Sequence, residues 1–345
     1  MRQFSMKYQH YVHNKENAQK CAGWYISRKY NGVAGWYDGG ITEGQKCRDI
    51  PWSDPKDSNK TSSGLWTIGR DGYPKPVNVP RKWINKHLVK GISVQGEIWC
   101  NDDLALLGTL SKRVNLETFH IDLWLEEVKF IPYNIRPYNQ LIGFKEWADK
   151  YPDRFDSIKT LITKHNTYEE NLKIIDEEYK TAQVYSYETE SRNELFLSLK
   201  IDTDKPYESI DSYIELAKAE KWEGLVLTNP KCKYEAGKTT KQQLKWKQMF
   251  DHEVKCIGWE YGDGKYSNVV GKLVYEITWS DRVTSIPGGR PDLIGKTLKS
   301  TVNLRGDGTR SIEYVTNHYL GNRVDVTFNA ITKHGLPQHC RLSDE

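Results

Sequence analysis

The 345-residue sequence contains no long apolar run. A helix needs about 18 or more such residues to cross a bilayer, so no membrane span or membrane partner is expected. The opening MRQFSMKYQHYVHNKENAQK has no apolar stretch of the kind a secretory signal carries, and a cytoplasmic location is expected. Cysteine is sparse. The six residues at 21, 47, 100, 232, 256 and 340 form no CxxC pair. That spacing argues against a structural zinc site and a disulfide framework, leaving reduced, mostly buried thiols. Internal repeats and low-complexity tracts are also missing. So is a strong excess of one charge: 50 Lys and Arg against 46 Asp and Glu leave +4. An excess that small does not by itself point to nucleic acid. What remains, 37% hydrophobic and 28% charged, is the composition of a soluble globular chain long enough for two or three domains.

The distribution of charge says more than its sum. Between Lys231 and Lys247 stand six lysines and one acid, Glu235. Such a segment is either a solvated basic loop or a surface that faces phosphates. The 12 Trp and 21 Tyr are either core and surface anchors or faces on which bases stack.

Asp38–Gly64, polar and glycine-rich, reads as a long surface loop. Short β-like runs surround it at Gly23–Lys29, Leu65–Ile68, Ile92–Cys100 and Val128–Tyr133. Apolar residues recur at helical spacing over 140–181, with breaks near Pro152 and Asn166–Thr167. A helix begins at Pro206, placing Ile210, Tyr213, Ile214 and Ala217 on one face, and runs into a strand at Trp222–Leu227. Another strand covers Leu244–Met249. Beyond about 250 the pattern becomes period two: Leu273, Tyr275 and Ile277 alternate with Val274, Glu276 and Thr278, and Val324, Val326 and Phe328 with Arg323, Asp325 and Thr327. Glycine-bearing turns separate these strands at 262–264, 287–289 and 306–308. The expected fold class is therefore α+β, with a boundary near 248–252.

Four short pieces carry possible chemistry: Lys29-Tyr30-Asn31-Gly32, Gly96-Glu97-Ile98-Trp99, Glu223-Gly224-Leu225-Val226 and Leu244-Lys245-Trp246-Lys247. Singly each is weak, since a lysine near a strand end is usually a surface charge. Together they supply one positioned lysine, two acids on strands and two lysines on one side of a strand. An amine attacks phosphorus only when neutral. At an ordinary pKa of about 10.4, roughly one molecule in 2,500 is neutral at pH 7. Lowering that pKa by two to three units takes roughly 3–4 kcal/mol, which neighbouring cations or a metal can provide. Glutamates are hard oxygen ligands suited to Mg²⁺. The order lysine, Gly-Glu, Glu-Gly, Lys-x-Lys fits covalent nucleotidyl transfer.

On these residues the chain resembles ATP-dependent DNA ligases, particularly the small phage and bacterial type, over nearly its whole length. The strongest stretch is EGLVLTNPKCKYEAGKTTKQQLKWK at 223–247, which resembles the family's succession of an EGL(I/V)V strand, a P…Y…GK loop and a KxK strand at this spacing. Lys29–Gly32 resembles the KxDG nucleophile element, and Gly69-Arg70-Asp71-Gly72, with Pro80 and Trp83, the element after it. Gly96–Trp99 matches a GELW element. Val128–Asn134 resembles the strand whose aromatic, here Tyr133, stacks on adenine; Phe119–Asp122 is a rival match. Leu336–Arg341 is similar to the last barrel element.

The resemblance implies a nucleotidyltransferase (adenylation) domain of antiparallel sheets and helices at 1–249 and an OB-fold β-barrel of five strands at 250–345. It implies that Lys29 forms the lysyl-AMP bond, and that Arg70 and Glu97 hold the ribose and 5′-phosphate region. Glu97 and Glu223 would serve a metal, Mg²⁺ with Mn²⁺ as an alternative. Lys245 and Lys247 would grip the α-phosphate, and Arg341 would orient pyrophosphate. ATP is the implied cofactor and nicked duplex DNA the implied partner of a monomer. Against NAD⁺ stand the 28 residues before Lys29, too few for a nicotinamide-reading domain, and the absence of a four-cysteine module. The sequence departs from the pattern at Asn31 (usually Asp), Ala34 (usually Arg), Ser27 (often Glu) and Asn134 (usually Asp). These departures leave two alternatives open: an RNA ligase or RNA-capping nucleotidyltransferase, and a catalytically inert nucleic-acid-binding protein with an OB domain.

Overall fold

The computed structural model describes residues 7–68, 73–101, 107, 121–155, 166–182, 199–237, 239–262, 264, 267–304 and 311–343. Its contacts divide the chain into two compact units, Met1–Ile214 with Gly224–Trp246, and Glu215–Glu223 with Lys247–Glu345. In chain order the first contains β1 (Lys7–His10), α1 (Lys15–Lys20), β2 (Tyr25–Lys29), β3 (Val33–Asp38), β4 (Leu65–Ile68), β5 (Pro74–Pro76), α2 (Arg81–His87), β6 (Ser93–Trp99), α3 (Ile121–Glu127), β7 (Lys129–Ile135), α4 (Phe144–Lys150), α5 (Tyr168–Thr181), β8 (Leu199–Lys200), most of α6 (Pro206–Ala219), β9 (Gly224–Thr228) and β10 (Thr239–Lys247). Two five-stranded sheets result, in the orders β1-β10-β9-β2-β8 and β5-β4-β3-β6-β7.

The second of these sheets is buried on both faces, so its strands carry no clean alternation. Tyr37 and Leu65 enter one cluster with Trp83, Val94, Trp124 and Phe130. Their neighbours Trp36 and Trp66 point to the other face and join Trp52, Tyr138 and Trp147. This explains a difference from expectation. The segment 38–64 is polar in composition, yet Ile41, Cys47, Ile50 and Trp52 within it are buried. Asp38 fastens it: the carboxylate accepts from Thr42, from Trp66 Nε1 at 2.8 Å and from the Gly40 amide at 2.9 Å. Burial nonetheless pushes the Asp38 carboxyl up to about 6.

Helix α5 starts at a capping box, in which Thr167 and Glu170 each satisfy the other's backbone amide. Tyr168, Asn171, Ile175 and Tyr179 form its buried face, and Asn171 Nδ2 donates to Asn134 Oδ1 of β7 at 2.7 Å. The helical spacing at 140–181 is thus realised by α4 and α5; Ile158, Leu161 and Ile162 lie outside the described residues. In α6, Ile210, Ile214 and Ala217 are buried on one face.

His87 gives the first unit a pH signature. It is buried against Trp83, with ring centroids 4.8 Å apart. Burial, helped by Lys86 and Lys129, pushes its pKa down to about 3. The folded state thus resists protonation that the unfolded chain accepts near 6.5, so the contribution is complete above 6.5 and lost as pH falls toward 3. Between pH 7 and 4.5 this group costs roughly 3 kcal/mol. Urea unfolding should show wild type losing that much more over the interval than His87→Leu. Parallel pH profiles would contradict it. Comparison with the variant removes the opposite-signed contribution of Asp38.

The second unit contains β11 (Phe250–Tyr261), β12 (Val270–Thr278), β13 (Thr297–Asn303), a short helix α7 (Ile312–His318), β14 (Arg323–Phe328), the pair β15 (Ala330–Ile331) and β16 (Pro337–Gln338), and β17 (Arg341–Leu342). Its sheet runs β13-β12-β11-β14-β17. Leu273, Tyr275, Ile277, Val326 and Phe328 face one core. The protein is α+β. Among the described residues no helix is long and apolar enough to cross a membrane. The described cysteines are all free, five of them buried.

Candidate functional site

A cavity of about 650 Å³ lies in the first unit, between its two sheets and α5. Strand β2 supplies Tyr25, Ser27 and Lys29, which share a face because side chains alternate along a strand. Antiparallel pairing sets Lys29 opposite Gly224, Ser27 opposite Val226 and Tyr25 opposite Thr228. Val226 and Thr228 of β9, and Gln243 and Lys245 of β10, complete that wall. The opposite sheet brings Ala34, Glu97, Ile131 and Tyr133. Lys29, Glu97, Tyr133 and Lys245, which come from four separate motifs, therefore line one space.

Two contacts hold the segment around Lys29 against the Gly-Glu strand. Tyr30 and Trp99 meet edge to face at 5.4 Å, and with Ile131 form a small apolar cluster. The Arg28 guanidinium lies over both rings, 4.8 Å from the Tyr30 centroid and 5.3 Å from that of Trp99. The other contact depends on a missing side chain. A Cβ on Gly32 would lie 2.4 Å from the Ile98 carbonyl oxygen and 2.7 Å from Glu97 Cγ. Glycine at 32 is what lets Glu97 fold over the turn after Lys29. Because the nearest obstacle is backbone, Gly32→Ala must displace the turn rather than a flexible side chain. It should slow any reaction at Lys29 by roughly 10²-fold, the cost of misplacing reacting groups by about an ångström. Wild-type rates in a folded Gly32→Ala variant would refute this.

The far end of the cavity is rich in tyrosine. Burial raises the Tyr133 hydroxyl well above the usual phenol range, with Tyr8, Glu97 and Tyr234 adding to the effect and a hydrogen bond with Gln95 opposing it. Tyr8 is raised for the same first reason and is hydrogen-bonded to Tyr133. Both phenols therefore keep their protons across the working pH range. On the rim, Tyr25 donates to Glu169 Oε1 at 2.9 Å and Lys200 donates to the same oxygen at 2.8 Å. The Lys200 and Tyr25 hydrogen bonds hold the Glu169 carboxyl below the ordinary range. This joins β2, β8 and α5.

The remaining residues singled out from sequence sit elsewhere. Glu223 and Lys247 fall in the second unit, where Lys247 Nζ donates to Glu223 Oε1 at 2.5 Å. Arg341 is on β17, opposite Thr327. Arg70, with Gly69, Asp71 and Gly72, lies outside the described residues, as do Phe119 and His120 of the rival aromatic motif. Sequence reading missed Tyr8 and Gln243. Gln243 was detectable, being two residues before Lys245 and so on the same face. Tyr8 was not: β1 is four polar-looking residues, and its parallel pairing with β10 joins the two ends of the unit. Among the described residues no group of three or more His, Cys, Asp or Glu side chains is arranged to hold a metal by itself.

No protein-family model and no curated protein matches the chain. Solved structures do. A structure from a structure–function study of DNA binding by Lig E DNA ligases is 15% identical, with a TM-score of 0.60 over 99% of this chain and 98% of that one. Another, named Pmar-Lig_PreS3, is 14% identical, with a TM-score of 0.62 over 99% of this chain and 67% of that one. At such identities the likeness is one of fold, and in fold this chain is similar to Lig E DNA ligases from end to end.

Proposed function

We propose that the protein is an ATP-dependent DNA ligase that seals 3′-hydroxyl/5′-phosphate nicks in duplex DNA. The observation that carries this reading is the convergence of Lys29, Glu97, Tyr133 and Lys245 on one cavity, with Gly32 clearing the space for Glu97. The fold likeness to Lig E DNA ligases supports it. In the first step the neutral Lys29 amine bonds to the α-phosphorus of ATP as the bond to the β-phosphate oxygen breaks. Pyrophosphate leaves and the amine's proton passes to solvent. In the second, the 5′-phosphate at a nick takes the AMP from Lys29. In the third, the 3′-hydroxyl attacks that phosphate and AMP departs.

Tyr133 offers an aromatic face for the base, and Lys245 a cation for the α-phosphate. Magnesium takes one or two carboxylates and completes its shell with substrate phosphate oxygens and water. Glu97, a carboxylate in the cavity wall, fits that pattern, and the bound ion would neutralise triphosphate charge. The resemblance extends the metal role to Glu223, the α-phosphate role to Lys247, the pyrophosphate role to Arg341 and the ribose and 5′-phosphate role to Arg70. It also makes 250–345 an oligonucleotide-binding barrel. We take the working form as a monomer in the cytoplasm.

The test is incubation with ATP and Mg²⁺, followed by intact-mass measurement and then a nicked duplex. The protein should gain one AMP and lose it as the nick closes. A folded protein that gains nothing would overturn the reading. Running GTP and an RNA nick in parallel separates DNA ligation from the related RNA chemistries, which Asn31 and Ala34 make worth testing. Because backbone contacts are sequence-indifferent and release counterions, affinity for nicked duplex of any sequence should fall steeply as salt rises. A flat salt response would remove the backbone-contact argument.

A further inference from the structure

Lys29 marks one end of the cavity; the other end is marked by an unsatisfied acceptor. Gln243 is 3% exposed and lines the cavity, and its Oε1 is buried without a hydrogen-bond partner. A buried polar oxygen left unpaired costs free energy, so such an atom in a cavity wall marks a place where a ligand supplies the donor.

Its position specifies the ligand. The sheet order β1-β10-β9-β2 lays the side chains out in rows. Lys29 pairs with Gly224 at one level, and four residues back Tyr25 pairs with Thr228. That is about 13 Å along an extended strand. Gln243 belongs to the far end. It precedes Lys245 by two residues on the same face, and the Asn229 amide donates to the Gln242 carbonyl at 2.9 Å, which sets Gln243 beside Thr228. A nucleotide bonded through its α-phosphorus at Lys29 would extend past Lys245 and its ribose toward this end, so the group that reaches Gln243 is the outer edge of the base.

We infer that Gln243 reads the 6-amino group of the nucleobase, and so makes 6-aminopurine nucleoside triphosphates the preferred substrates. Oε1 accepts from the exocyclic amine of adenine. Guanine presents a carbonyl oxygen at that position, which would face the Gln243 oxygen lone pair to lone pair. The neighbouring phenols are engaged: Tyr8 is hydrogen-bonded to Tyr133, and Tyr25 donates to Glu169. The inference rests on the proposed lysyl-nucleotide chemistry and adds the residue that chooses the base.

The test compares rates of lysyl-nucleotide formation at subsaturating nucleotide, read by intact mass, with ATP, purine riboside triphosphate (which lacks the amine) and GTP. Wild type should favour ATP over purine riboside triphosphate by on the order of 10²-fold, the upper end of what leaving one buried acceptor unpaired costs. In Gln243→Leu the ratio of the ATP rate to the purine riboside triphosphate rate should collapse to a few-fold, whatever the change in the two absolute rates. Gln243→Glu keeps an acceptor and should keep the preference. Should Gln243→Leu not fold, Gln243→Met carries the same expectation. Undiminished discrimination in the acceptor-free variants would overturn the inference alone, as would a wild type that treats the two purines alike or prefers GTP. A wild type that forms no adduct with any nucleotide would instead overturn the ligase reading, and this inference with it.

Discussion

Lys29→Ala should form no adduct at all with labelled ATP, and nick sealing should disappear with it. The expected effect is the largest any single substitution in this chain can have on the proposed function, because in that reaction the residue supplies the atom that bonds to phosphorus. Positioning and charge neutralisation can survive its removal, but no neighbouring group can take its place in a covalent step. The fold should be indifferent. Lys29 ends β2, and its backbone pairing with Gly224 needs no side chain. Apolar contacts next to it come from Tyr30 with Trp99 and Ile131, which the substitution leaves intact. The measurement is therefore twofold: mass after incubation with ATP, and unfolding temperature. One AMP on wild type and none on an equally stable variant is the expected pair. An adduct on Lys29→Ala would move the nucleophile elsewhere and dismantle the proposed site. As a further check, a nick that already carries AMP on its 5′-phosphate bypasses the lysine, and Lys29→Ala should still act on it better than it acts on an ordinary nick.

The parts of this architecture that the sequence made legible are those where one face meets solvent. Leu273, Tyr275 and Ile277 are buried while Val274 and Glu276 between them are only partly covered, and the period-two pattern follows directly. The same holds for Ile210, Ile214 and Ala217 at helical spacing. Strand β3 escaped notice for the opposite reason. Trp36 and Tyr37 are both buried, on opposite faces, so no alternation marks them. Segment 38–64 looked like surface because composition averages over its many Ser, Asp, Lys and Gly, whereas its position is decided by Trp52 and by the bonds to Asp38. Helix α7 is seven residues within a run of strands, too short to impose its own period. The site was legible as motifs because its chemistry needs particular residue types at short spacing. What the motifs could not convey is what arrives from far along the chain: Tyr8 on β1, and the α5 face that brings Tyr168, Glu169 and Leu172 to the cavity.

The second large effect belongs to Lys245. It lines the cavity on the sheet wall that also carries Lys29 of β2 and Gln243 of β10. In the proposed reaction negative charge shifts onto the leaving pyrophosphate and the α-phosphate oxygens crowd around the incoming amine. A fixed cation there stabilises the transition state more than the ground state, which is the condition for raising a rate. Removing a single charge-stabilising donor from a preorganised site commonly costs about 10²–10³ in rate. Lys245→Ala should therefore slow adduct formation by that factor with the fold retained. Its backbone carbonyl, which accepts from the Tyr11 amide at 2.9 Å and anchors β1, is untouched by the change. The effect should be larger on the rate at saturating ATP than on the concentration needed to saturate. A loss confined to ATP affinity would assign Lys245 to ground-state binding. Lys245→Arg keeps the charge but replaces a compact ammonium by a planar fork, and should recover only part of the rate. If Lys245→Ala reacts as fast as wild type, the cation that neutralises the α-phosphate is another group, and the charge on this strand is an ordinary solvated one.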